Sequence, residues 1–158
     1  MIAAAAEASG PHGPAALLGA LAAAATAAAV GVVFLCSSWA QRGGPPGGVA
    51  ARSRDLAVAC AAGAAACYAW GVLRLAYATG DAPFDACLPV VGRDRMQHVS
   101  GYGAEWFPLG LTCVLPGGQG PAVGVPGYVN PAVTVLACVA AAAAVFAAAH
   151  HLKNKPQT

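Results

Sequence analysis

Two of the six cysteines in this sequence stand apart from the others by their surroundings. Cys87 and Cys113 lie in a polar stretch rich in turn-forming residues. The other four are interpreted as small apolar residues of helices: Cys36, Cys60, Cys67 and Cys138. A redox enzyme favours a Cys-x-x-Cys pair, which the sequence lacks. If the polar stretch faces an oxidising compartment, the pattern therefore favours a structural disulfide between Cys87 and Cys113, with thiol catalysis as the alternative.

The same stretch holds other side chains of the kinds that catalysis uses. Asp94, His98, Ser100 and Glu105 all lie between the two cysteines. None of them stands in a Gly-x-Ser-x-Gly elbow, a His-Glu-x-x-His motif or a ligand cluster with metal spacing. We interpret His98 as an exposed loop histidine, and the sequence predicts no catalytic residue, no metal site and no cofactor.

The composition indicates which class of protein carries these residues. The chain is 58% hydrophobic and 9% charged, with a mean hydropathy of +0.62, whereas a soluble domain has about 25% charged residues. An alanine-rich soluble bundle would need helices with one charged face, and the apolar runs lack such a face. The sequence therefore predicts an integral membrane protein. Its net charge is only +2 and its basic residues are scattered, so the sequence has no basic patch that would bind nucleic acid.

Three apolar runs have the length that crosses a bilayer. They cover residues 15–36, 56–78 and 132–152, and roughly 20 apolar residues span a hydrocarbon core about 30 Å thick. A signal peptide is the alternative for the first run, but it needs basic residues before the apolar stretch, and the first one here, Arg42, follows it. We therefore predict three transmembrane helices, the first of them retained as an anchor.

The second run carries a charge near its end, at Arg74. We interpret Arg74 as an interfacial anchor beside Tyr77, with its aliphatic stem along the helix and its guanidinium among the headgroups. Pairing of Arg74 with Asp81 or Asp85 is the alternative. Three further aromatic residues are predicted anchors at the membrane interface: Trp39, Trp106 and Tyr128. Small residues every four positions predict a face where a neighbouring helix approaches closely: Gly63, Cys67 and Gly71.

The basic residues predict the orientation of the three spans. The loop 37–55 contains three arginines and the tail 153–158 contains two lysines, whereas the tail 1–14 contains neither residue type. Lysine and arginine in short flanking segments favour the cytoplasmic side. We therefore expect the loop 37–55 and the C-terminus inside the cell, and the N-terminal tail and the loop 79–131 outside it.

The loop 79–131 contains signals for local structure. Residues 92–102 are polar and favour a short helix or a turn, residues 106–115 are typical of a strand, and the glycine-rich turn 116–120 leads to a second short strand at 122–125. This order predicts a small hairpin. Asn130-Pro131 is typical of a helix start, with Asn130 as the N-cap of the third span.

The order of features in the second half of the chain resembles a loosely defined group of small actinobacterial integral membrane proteins of unknown function. The matching residues are Cys87, Phe107-Pro108, Cys113, Gly117-Gly118 and the run Pro-Gly-Tyr-Val-Asn-Pro at 126–131. An Asp-Gly turn of the group's pattern is replaced here by Gly117-Gly118. The resemblance implies architecture and a membrane location, and it implies no reaction.

These observations combine into one reading of fold and role. The predicted fold is an all-α membrane protein with three transmembrane helices and a disulfide-clamped external loop that contains a small β-hairpin, located in the plasma membrane. The hypothesis for its role is a non-enzymatic component that docks on a membrane protein or a second copy through the external loop or the helix faces. The alternatives are a transporter or channel subunit, against which the spans offer no buried ionisable residue except Arg74, and an extracytoplasmic thiol enzyme.

Overall fold

The computed structural model describes residues 14–44, 47–80, 83–120 and 122–153. The predicted tails 1–14 and 153–158 lie outside this range except for Pro14 and Lys153. Within the described residues the chain forms five helices and three strands: α1 (Pro14–Arg42), α2 (Val49–Gly80), α3 (Pro83–Val91), α4 (Arg93–Met96), β1 (Gly101–Trp106), β2 (Leu109–Leu115), β3 (Gly118–Gln119) and α5 (Val129–Lys153).

Three of these helices, α1, α2 and α5, are long and apolar enough to cross a membrane. Their mean hydropathies are 2.2, 1.8 and 2.4. The rest of the protein buries almost nothing of α5: between positions 132 and 153, Ala143 is the one buried residue. A helix of that hydropathy needs an apolar surrounding, and lipid supplies it. The three predicted membrane helices are thereby confirmed.

The helices are longer than the predicted spans. Helix α1 continues to Arg42 and α2 begins at Val49, so the connection between them is residues 43–48 rather than 37–55. The prediction ended each span where the apolar residues end, but helical hydrogen bonding does not require apolar side chains. Ser37 and Ser38 extend α1, and their hydroxyls donate to the carbonyls of Phe34 and Leu35, each at 3.0 Å.

The chain divides into two compact units. The sheet unit comprises Met1–Ala23 and Tyr68–Asn130, and the helical unit comprises Ala24–Cys67 and Pro131–Thr158. We name residues 83–128, which lie between α2 and α5 in the sheet unit, the cysteine segment.

A three-stranded antiparallel sheet in the order β1-β2-β3 forms the centre of the cysteine segment. Strands β1 and β2 pair from Gly101 opposite Val114 to Trp106 opposite Leu109, and the cis peptide Phe107-Pro108 makes the turn between them. The predicted hairpin is therefore confirmed.

The strands of this hairpin differ from the predicted ones. The run 106–115 is interrupted at Phe107-Pro108, because proline has no N–H to give to a sheet. The main partner of β2 is consequently the upstream strand β1 and not residues 122–125. That stretch contributes a single bridge, from Val123 to Leu111.

The core of the sheet unit lies on one face of β2. Leu109, Leu111 and Cys113 are alternate residues of this strand, so they share a face, and each is at most 1% exposed. They pack in one cluster with Val72 and Leu75 of α2, which are fully buried. The last turns of α2 thus provide the surface on which the sheet rests.

Helix α3 has no counterpart in the sequence-based prediction. Two prolines within nine residues argue against a helix, yet Pro83 is the first residue of α3, where proline is tolerated, and Pro89 lies inside the helix. Gly92 ends α3: its φ of 81° lies in the left-handed region, and its N–H donates to the Leu88 carbonyl at 2.9 Å. Helix α4 then follows within the stretch predicted as a short helix or turn.

Candidate functional site

A disulfide joins Cys87 of α3 to Cys113 of β2, as predicted. The two Cα atoms are 6.2 Å apart, and both residues are fully buried. The bond connects residues 26 positions apart, and closing a loop of that length stabilises the folded state by about 3 kcal/mol in the chain-entropy model. Because both sulfur atoms are bonded and buried, the pair acts as a clamp on the segment.

Asn130 attaches β2 to the start of α5. The Leu109 N–H donates to Asn130 Oδ1 at 2.9 Å, and Asn130 Nδ2 donates to the Leu109 carbonyl at 3.0 Å. The predicted N-cap role of Asn130 is wrong, because α5 begins at Val129 and Asn130 lies inside its first turn. Only the fold brings Leu109 within reach of this amide, 21 positions earlier in the chain.

Helix α2 contacts the hairpin through a glycine and a tyrosine. A Cβ atom at Gly71 would lie 2.6 Å from Leu109 Cδ2 and 2.8 Å from Val129 Cγ1, so only glycine fits there without displacement. The Tyr68 hydroxyl donates to the Trp106 carbonyl at 3.2 Å. The hairpin is therefore held from α2, from α5 and from α3 at three separate points.

The predicted small-residue face of α2 is used differently at its two ends. Gly71 contacts β2 and the first turn of α5 in the sheet unit. In the helical unit, a Cβ atom at Gly63 would meet Leu136 of α5 at 3.5 Å, an ordinary contact distance. Cys67 is half-buried with a free thiol. Sequence reasoning missed Gly31 of α1, where a Cβ atom would lie 2.8 Å from Ala62 Cβ.

The fixed frame of the cysteine segment exposes several aromatic side chains. Phe107, in the turn of the hairpin, is 70% exposed, Phe84 of α3 is 50% exposed and Tyr102 of β1 is 44% exposed. Rigid side chains of this kind lose little conformational entropy when another surface covers them. We name Phe84, Tyr102 and Phe107 the exposed aromatic residues of the segment.

Two of the predicted interface anchors, Arg74 and Tyr128, each contact Trp70 of α2, a residue that the sequence analysis did not single out. The guanidinium of Arg74 lies 5.4 Å from the centroid of the Trp70 ring, a cation–π geometry. Trp70 Nε1 donates to the Tyr128 hydroxyl at 3.2 Å, and Tyr77 is 62% exposed. The spacing of four residues between Trp70 and Arg74 is the sequence signal for this stack. The location of these side chains at a membrane interface stays a prediction.

A second cluster of polar contacts surrounds Asp55 in the helical unit. Trp39 Nε1 donates to Asp55 Oδ2 at 2.9 Å, Arg42 Nη1 lies 3.2 Å from the same oxygen, and Arg54 Nη2 lies 3.1 Å from Oδ1. Asp55 is only 5% exposed and lies within α2. The predicted anchor Trp39 therefore uses its indole N–H on a protein carboxylate.

This cluster corrects the expectation that the spans hold no buried ionisable residue except Arg74. The sequence places Asp55 in the loop 37–55, because the apolar run begins directly after it. Its partners Arg42 and Trp39 are 13 and 16 positions earlier, across the turn at 43–48. The available signal was a carboxylate at the start of an apolar run, after three arginines: Arg42, Arg52 and Arg54.

The side chains of the kinds that catalysis uses form no site that we can assign in the described part of the chain. Among the residues that the structure describes, no group of three or more histidine, cysteine or acidic side chains is placed to hold a metal ion. His98 is exposed, and the Ser100 hydroxyl donates to the Val114 carbonyl at 3.2 Å.

Fold and site together define the class as a multi-pass α-helical membrane protein with a disulfide-clamped segment between its second and third membrane helices. Comparison with protein-family models, with curated proteins and with solved structures finds no match to this chain.

Proposed function

We propose that this protein is a non-enzymatic component of the plasma membrane that docks on another membrane protein through its cysteine segment. One observation carries the proposal. Helices α1 and α2 are joined by residues 43–48 alone, whereas the connection between α2 and α5 is residues 81–128 and contains a sheet, a buried core and a disulfide. A connection that only had to join two helices would need neither a sheet nor a core, and binding residues are often carried on segments that a rigid scaffold positions.

The proposed orientation puts this segment outside the cell. A disulfide persists in an oxidising compartment, which supports an external location. Arg42 and Arg54 flank the short turn at the other end of α2, and Lys153 ends α5. Basic residues next to membrane helices favour the cytoplasmic side. In this orientation the N-terminus is external and the C-terminus is cytoplasmic.

The exposed aromatic residues are the proposed contact points. Aromatic side chains dominate the binding energy of many protein interfaces. The disulfide, the Asn130 amide and the Gly71 contact fix the frame that carries Phe84, Tyr102 and Phe107. Because this frame is already ordered, binding requires little further ordering of the segment.

The two alternative roles gain no support from the site. A thiol enzyme needs a reactive Cys87 or Cys113, and these sulfur atoms are bonded to each other and buried. A transport pathway uses ionisable residues that change partner or charge. The one buried carboxylate of the described residues, Asp55, accepts hydrogen bonds from three side chains at the end of its helix.

Site-specific photo-crosslinking in native membranes tests the docking proposal. A photoreactive phenylalanine analogue replaces Tyr102, Phe84 or, as the control, Val145, which is 70% exposed on the apolar surface of α5. We expect one protein adduct of constant mass from Tyr102 and Phe84 and none from Val145. No protein adduct from the cysteine segment, or the same adducts from Val145, would contradict docking through this segment.

A further inference from the structure

A groove of about 540 Å³ lies between α2 and α5 in the helical unit. Most of its wall consists of alanine and valine side chains, and two residues with basic side chains complete it. The lining residues are Ala50, Ala51, Arg54, Ala57, Val58, Ala144, Ala147, Ala148 and His151.

The two basic residues of the groove come from the same end of the two helices. Gly63 of α2 is near Leu136 of α5, whereas residues 50–58 share the groove with residues 144–151, so the helices run antiparallel. Arg54 and His151 therefore lie toward the turn 43–48 and the end of α5. From Ala144 to His151 the groove extends about 10 Å at 1.5 Å per residue.

The chemistry of the groove matches a lipid with a negative headgroup. The helices that form it are membrane spans, so hydrocarbon chains meet its apolar wall. Arg54 binds Asp55 through Nε and Nη2, yet 46% of its side chain remains exposed. A guanidinium has five N–H donors, more than this carboxylate takes. Arg42 and Arg54 together exceed the charge of Asp55 by one.

We propose that this groove binds one anionic phospholipid, with its phosphate at Arg54 and His151 and one acyl chain along the alanine wall. A second groove, of about 440 Å³ between α1 and α2, provides the internal contrast. It is lined by apolar residues around Gly31 and Ala62 and has no basic residue. An acyl chain fits either groove, but only the groove at Arg54 selects for headgroup charge.

Native mass spectrometry of the purified full-length protein, titrated with phosphatidylglycerol or with phosphatidylcholine of the same chains, measures this selectivity. We expect one phosphatidylglycerol per chain, bound about tenfold more tightly than phosphatidylcholine, as a charge-assisted contact of roughly 1.4 kcal/mol gives. Equal binding of the two lipids would overturn the proposal. Displacement of phosphatidylglycerol by millimolar inorganic phosphate would also overturn it, because the site would then be an anion site alone.

A charge-matched pair of variants locates the headgroup. Arg54→Gln and Arg42→Gln each remove one positive charge and one ion pair of Asp55, but only Arg54 lines the groove. We expect Arg54→Gln to reduce the selectivity for phosphatidylglycerol about tenfold and Arg42→Gln to leave it within twofold. Equal losses in both variants would assign the effect to the Asp55 cluster and would overturn the proposed site.

A second pair tests the apolar wall without changing charge. Ala148→Phe fills the groove, whereas Ala149→Phe, also at an exposed position of α5, points away from it, because Ala149 does not line the groove. We expect Ala148→Phe to abolish the bound phosphatidylglycerol and Ala149→Phe to retain it, with equal helix content by circular dichroism. Unchanged lipid binding in Ala148→Phe, or a dimer of the chain that occupies the groove and persists with lipid in excess, would contradict lipid as the occupant.

Discussion

At the residue scale, the disulfide makes the largest single contribution that the structure assigns to the cysteine segment. The double variant Cys87→Ala/Cys113→Ala should lower the free energy of unfolding of this segment by about 3 kcal/mol, because the unfolded chain regains the entropy of an open loop of 26 residues. The measurement is limited proteolysis of the segment in increasing urea.

The matched control for the disulfide variant uses two cysteines with free thiols. Cys36→Ala/Cys138→Ala removes exposed side chains of membrane helices and should leave the proteolysis midpoint of the segment unchanged. A reductant should lower the midpoint of the control chain and leave that of Cys87→Ala/Cys113→Ala where it is. An equal effect of both double variants would show that the disulfide does not stabilise the segment.

Asn130 gives a second prediction at this scale. Asn130→Ala leaves the N–H and the carbonyl of Leu109 without their amide partner, and each buried unpaired group costs about 1–3 kcal/mol. We expect the β1–β2 hairpin to lose hydrogen-exchange protection first. Gln97→Ala, at an exposed position after α4, is the control and should change protection little. Equal protection of the hairpin in Asn130→Ala and in the natural chain would show that the amide does not hold β2.

The Asp55 cluster is predicted to stabilise the turn between α1 and α2. Asp55→Ala removes the acceptor shared by Trp39, Arg42 and Arg54, and we expect a loss of about 2 kcal/mol, since hydrogen bonds to a charged group contribute about 1.5–3 kcal/mol and these arginines are partly solvated. Indole fluorescence should report the released Trp39. Asp85→Ala, at an exposed position of α3, is the control. An unchanged Trp39 signal would contradict the cluster.

Some of these residue contacts can be predicted from the sequence, and others cannot. The cysteine pair was predictable because Cys87 and Cys113 are the only two outside the apolar runs. The contacts of Asn130 and Asp55 were not predictable. Leu109 is 21 positions from Asn130, and Trp39 and Arg42 are 16 and 13 positions from Asp55, so these partners come together only after folding. Long-range pairs of this kind leave no periodic pattern in a sequence.

At the element scale, the helices were predicted by their apolar length, and the details of packing were not. The three spans follow from uninterrupted runs of alanine, valine and leucine. The strand register was missed because the turn Phe107-Pro108 divides a stretch that reads as one strand. Helix α3 was missed because two prolines within nine residues, Pro83 and Pro89, are typical of a turn or a loop.

Two glycines on α2 give a prediction about helix packing. Gly71→Ala places a Cβ atom against Leu109 and Val129, which are both at most 1% exposed and would have to shift within a packed core, so overpacking should cost about 1–3 kcal/mol. Gly63→Ala meets Leu136 at 3.5 Å and should be neutral or stabilising by up to about 1 kcal/mol, since alanine favours helix over glycine. Thermal denaturation in one detergent compares the two variants. Equal shifts would show that Gly71 is not a tight contact.

At the scale of the whole molecule, the central proposal is the orientation: the clamped segment lies outside the cell and the arginine-flanked residues 43–48 lie inside it. The arginines around residues 43–48 and the disulfide within residues 83–128 support opposite sides for the two connections. Docking through the segment and lipid binding at Arg54 are separate proposals, and either one can fail alone.

The most direct test labels two engineered cysteines from outside intact cells with a membrane-impermeant maleimide. The starting chain has its four free cysteines replaced by alanine and keeps the disulfide. Ser100→Cys and Gly48→Cys then place single thiols at exposed positions of the cysteine segment and of the turn after α1. We expect Ser100→Cys to be labelled in intact cells and Gly48→Cys only after permeabilisation. Labelling of Gly48→Cys in intact cells, with Ser100→Cys protected, would contradict the account.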